Sequence, residues 1–72
     1  MTREAFSQTI ADRIRERRDA LHMTQYALAL AIGVKRSTVC AWESGSRTVS
    51  AYHYSRLETF FSKRESVAGA KP

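Results

Sequence analysis

Apolar residues recur along this chain at helical spacing. Phe6, Ile10 and Ile14 fall every four residues, and Leu21 extends the stripe. They predict a first helix from Arg3 or Glu4 to Ala20, with Thr2 as its cap. Ala27, Leu28, Ala31 and Ile32 repeat the pattern in a shorter segment that Thr24 opens and Gly33 closes. Val39 and Trp42 mark the inner side of a third segment ending at Gly45. Tyr54, Leu57 and Phe61 do the same for a fourth, which starts at Ser50 or Ala51 and runs to about Phe61. Residues 62–68 supply one or two further turns. Ala29 is the small side chain that two helices crossing at short distance require. Gly33 takes the left-handed turn, Val34 covers the junction and Met23 plugs the core.

Composition narrows this to one domain. The chain has 72 residues, 43% hydrophobic and 26% charged, enough for a folded core but not for two. Three glycines and one terminal proline leave helices uninterrupted, so the expected class is all-α. The domain is placed at residues 1–68, with 69–72 as a short flexible tail. A net charge of +5 points to an acidic partner without naming it. Position adds weight towards nucleic acid: four arginines lie between Arg13 and Arg18, while Lys35, Arg36 and Arg47 bracket the third helix. A membrane-surface role for the first helix is disfavoured, because Asp12, Glu16 and Asp19 dilute its charge and its apolar stripe is needed inside.

Other chemistries find little support. Cys40 is the only cysteine, which excludes an internal disulfide; it is expected to be small, reduced and partly buried, in a cytoplasmic setting. No apolar run reaches the roughly 18 residues of a membrane span. His22 and His53 lie in different elements, Ser37 and Ser44 have no nucleophile-elbow context, and there is no phosphate-cradling glycine loop. No enzyme, metal or cofactor is expected.

The segment from Thr24 to Gly45 has the punctuation of two short helices joined by a tight turn. The second opens with Lys35, Arg36, Ser37 and Thr38, which can reach phosphates or base edges, while Val39 and Trp42 face a core. A helix-turn-helix DNA reader needs this division of labour. A plain helical hairpin would explain the glycine and alanines but not the polar cluster.

These residues resemble the phage repressor and Cro type of helix-turn-helix domain, the xenobiotic-response-element family, over roughly Ile10 to Phe61. The matching positions are Ile14 with Arg18, Thr24-Gln25, Leu28-Ala29, Gly33-Val34 and Trp42-Glu43-Ser44-Gly45. The resemblance implies a compact, lambda-repressor-like bundle of four to five helices. It also implies a sequence-specific double-stranded DNA-binding transcriptional regulator, a repressor acting as a homodimer on a palindromic operator in the cytoplasm, at the nucleoid. Position by position, it implies base reading by Arg36, Ser37, Thr38 and Ala41. Backbone contacts fall to Gln25, Lys35 and Arg47, and a structural ion pair to Arg18 and Glu43. The dimer candidates are Tyr52, His53, Phe60 and Val67. Departures from the pattern are Arg17 at a customarily apolar place, Lys35 for the usual cap, Val49 for proline, and Tyr54 and Glu58 for aliphatic and alanine residues. The competing reading is an antitoxin-like or adaptor protein whose main partner is another protein, supported by the aromatic-rich fourth helix.

Overall fold

Among the described residues, two hydroxyl caps and three left-handed residues mark helix boundaries. The computed structural model describes residues 3–69, and the side chains of residues 9–66. The Thr2 cap, the Phe6 and Val67 side chains and residues 70–72 lie outside that range. Four α-helices follow one another: α1 (Arg3–Ala20), α2 (Gln25–Ile32), α3 (Arg36–Ser44) and α4 (Ala51–Gly69). α4 continues past Phe61 without a break, so residues 62–68 extend one helix.

The Thr24 hydroxyl accepts the Ala27 N–H at 3.0 Å and starts α2. Ser50 does the same for His53 at the head of α4, at 3.2 Å. Lys35 supplies no side-chain cap to α3; only its carbonyl serves, accepting the Thr38 N–H at 3.0 Å. At the other ends, His22, Gly33 and Gly45 have φ of 57°, 87° and 81°. At α1, the His22 N–H reaches the Asp19 carbonyl and the Met23 N–H the Arg18 carbonyl. Gly45 and Ser46 repeat the arrangement on Trp42 and Ala41. Gly33 and Val34 both donate to Ala29. Three helices therefore end in the same kind of turn, and His22 alone makes it without a glycine.

The core is drawn from all four helices: Ile10 and Ile14; Leu28, Ala29 and Ile32; Val39 and Trp42; Leu57 and Phe61. Ala11 is fully buried beside them. Leu21, Met23, Val34, Val49, Tyr54 and Phe60 pack around this centre, partly buried. α3 lies against α1 and α2, and α4 against α2. Within α2 the inner face holds Leu28, Ala29 and Ile32; Ala31, expected inside, is exposed, as are Tyr26 and Leu30. The result is an all-α, four-helix bundle with a helix-turn-helix arrangement.

α1 and α4 meet through long side chains. Arg17 lays its guanidinium 4.9 Å from the centre of the Phe61 ring and ion-pairs with Glu58 and Glu65. Arg13 reaches Glu58 as well, at 3.2 Å. A cation in place of an apolar residue on α1 is thus matched by carboxylates on α4.

Candidate nucleic-acid interface

α3 separates its residues cleanly by side. Val39, Trp42 and Glu43 are buried, with Trp42 only 2% exposed and its ring 5.3 Å from that of His53. Arg36, Ser37, Cys40 and Ser44 are exposed, and Thr38 and Ala41 are half-buried at the margins. The outer surface is therefore a row of small side chains led by one long cation. Small side chains leave this face sterically open, and Arg36 is the group on it with bidentate reach.

Cys40 belongs to that outer row and is exposed, contrary to the expected partial burial. The general tendency of cysteine to be buried yields here to helix geometry: Cys40 follows Arg36 by four residues and Ser37 by three. Helical spacing from Val39 and Trp42 is the signal that locates it.

Behind α3 sits a buried polar brace. Arg18 donates from Nε and an Nη to the two carboxylate oxygens of Glu43, at 2.7 and 3.0 Å. Its other Nη donates to the Met23 carbonyl at 2.6 Å. Gln25 adds a third donor to Glu43, at 3.2 Å. One carboxylate, 5% exposed, thus ties together the end of α1, the start of α2 and the inner side of α3. The hydrogen bond to Glu43 holds the Arg18 guanidinium above its ordinary basicity. The amide of Gln25, expected at the DNA backbone, points one donor inward to this brace.

Just after α3, donors converge on the Ala41 carbonyl. The Ser46 and Arg47 N–H groups and the Ser44 and Ser46 hydroxyls lie 3.1–3.3 Å from it. The loop carrying Arg47 is thereby pinned to the end of α3.

Charge is divided along the chain. Arg13, Arg15, Arg17 and Arg18 are all engaged with carboxylates: Glu58, Asp12, Glu58 with Glu65, and Glu43 with Asp19. The arginine cluster of α1 is therefore neutralised within the fold, contrary to its expected contribution to a nucleic-acid surface. Among the described residues, Lys35, Arg36, Arg47, Arg56, Lys63 and Arg64 form no ion pair. Three of these six flank the outer face of α3.

Of the dimer candidates, Tyr52 is 66% exposed. His53 and Phe60 are half-buried, His53 on Trp42 and Phe60 with its ring 5.7 Å from that of Phe61. The Val67 side chain lies outside the described residues. Arg56, which no sequence pattern singles out, donates to the Ile32 carbonyl at 3.0 Å and so closes the end of α2 from α4.

The sequence profile of the helix-turn-helix family matches residues 14–66, nearly three quarters of the chain. No curated protein and no solved structure matches it.

Proposed function

Given that the chain belongs to the helix-turn-helix family, which is typical of DNA-binding regulators, we propose that it is a sequence-specific reader of double-stranded DNA of the phage repressor and Cro type. The observation that carries this reading is the outer face of α3: small side chains, one leading arginine, and Lys35, Arg36 and Arg47 free of carboxylates around it. Arg36 and Ser37 read base edges, with Thr38 and Ala41 beside them. Lys35 and Arg47 hold phosphates, and Gln25 does so from the start of α2, where unpaired backbone N–H groups favour an anion.

One such helix reads only a few base pairs, so two copies act together on a palindromic operator. Tyr52 and the end of α4 near Val67 form their contact, His53 resting on Trp42 within each copy and Phe60 facing the groove between α2 and α4. Arg56, Lys63 and Arg64 on α4 oppose a second α4, so the pair is weak in free solution and forms on DNA. Occupying the operator represses transcription without any further surface, in the cytoplasm at the nucleoid.

Selection of bound duplexes from a random pool, followed by footprinting, tests the whole reading. Enrichment of a palindrome with half-sites centred about one helical turn apart is expected. Recovery of sequences no different from the starting pool would remove the regulator in favour of the protein-adaptor reading.

A further inference from the structure

α4 is split by charge along its length. Its described carboxylates, Glu58 and Glu65, are both held from α1 by Arg13 and Arg17. Arg56, Lys63 and Arg64 meet no carboxylate among the described residues. Arg56 and Lys63 stand along a groove between α2 and α4 whose apolar lining is Ala31, Ile32 and Phe60. Arg64 lies against the Phe60 ring, 5.3 Å from its centre.

We propose that this groove docks an acidic amphipathic helix of another protein. An apolar stripe of that helix covers Ala31 and the open edge of Phe60, above the buried Ile32, and its carboxylates meet Arg56 and Lys63. Both halves of the match are needed. A DNA backbone would supply the charge but leave the apolar lining uncovered. A second copy of this chain fits poorly, because Glu16 is its only described carboxylate outside an ion pair. The assignment stands apart from DNA reading, since it uses none of Lys35, Arg36 or Arg47.

The test is a titration of the isotopically labelled full chain, followed by amide NMR, with two synthetic helices. One carries leucine at every third and fourth position flanked by glutamate; the other has each glutamate replaced by lysine. Shifts at Ala31, Ile32, Arg56, Phe60 and Lys63 are expected with the acidic helix alone. K63E should weaken that binding about tenfold, and R56E/K63E further. Because Arg56 also closes α2, K63E alone decides the matter if the double variant unfolds. Several results would overturn the assignment: no shifts up to about 1 mM peptide, shifts confined to residues 35–47, or undiminished binding by K63E. A lower salt slope of DNA affinity in K63E would also overturn it, by making Lys63 a phosphate contact. Failure to find an operator would leave the peptide result unaffected, so the two proposals fail separately.

Discussion

Arg17 on α1 and Glu58 on α4 compensate each other across the seam of the bundle, with Glu65 one turn further along sharing the same guanidinium. Hydrogen bonds from Arg17 hold the Glu58 and Glu65 carboxyls below the usual carboxylate range, and the one to Glu65 holds Arg17 above its own. Carboxyls depressed in this way favour the folded state above their ordinary pKa of about 4.3. That contribution is lost as pH falls through the lower folded values. Thermal melts should show stability falling in acid below about pH 4.3, and Arg17→Met, which keeps the stem over Phe61, should show a shallower fall. Parallel curves would mean that the acid sensitivity arises elsewhere.

Removing one side of the Arg18–Glu43 brace strands a buried charge. Arg18→Met, which leaves the buried Glu43 carboxylate with Gln25 as its remaining partner, is expected to cost ~3–5 kcal/mol of folding stability. The double variant Arg18→Met/Glu43→Leu should cost less than the sum of its two single replacements, because no lone charge remains. Urea denaturation of the four proteins checks this, and strict additivity would contradict it.

Arg36→Ala should lose ~1–3 kcal/mol of affinity for the selected operator and relax preference at one base pair per half-site. Lys35→Ala and Arg47→Ala should instead weaken binding to all sequences and lower the slope of log affinity against log salt by about 1 each. Equal loss on cognate and scrambled DNA by Arg36→Ala would reassign it to phosphate.

Trp42 is a packing residue, closed off beneath α3 and in contact with the His53 ring. Trp42→Ala should cost ~3–5 kcal/mol, which is most of the stability available to a small domain. Circular dichroism would show it largely unfolded; a folded variant that had merely lost DNA binding would make Trp42 a contact residue.

His22 occupies a left-handed position for which it pays in strain, with φ 57°. His22→Gly should relieve that strain and raise stability by roughly 0.5–1 kcal/mol, partly offset by glycine's freer unfolded chain. A lower melting temperature would show that the histidine side chain outweighs its backbone.

Several helix ends are readable in the sequence because they are written locally: Thr24 as a cap, Gly33 and Gly45 as stops, and the start of α4 at Ser50 or Ala51. His22 is not, since nothing in a histidine signals positive φ. The brace was accessible only through the resemblance, for Arg18 and Glu43 are far apart in sequence. The partners of the α1 arginines are hidden for the same reason. Arg17 finds Glu58 and Glu65 across more than forty residues, and no periodicity announces such a partner. Burial of alanines is only partly legible: Ala29 is marked by the helix crossing, but Ala11 inside and Ala31 outside are a difference that packing decides and residue type does not.

The knot of donors at the Ala41 carbonyl bears on the thermodynamics of recognition. With Ser44, Ser46 and Arg47 already fastened to the end of α3, the proposed reading helix and its following loop would meet a duplex as one piece. Their conformational freedom is surrendered during folding, so little remains to be lost at the operator. The heat-capacity change of association should then report surface removed from water and no coupled folding. Substituting glycine for Ser46 would loosen that piece and move the loss to the moment of contact, leaving every DNA-facing side chain in place while slackening the complex.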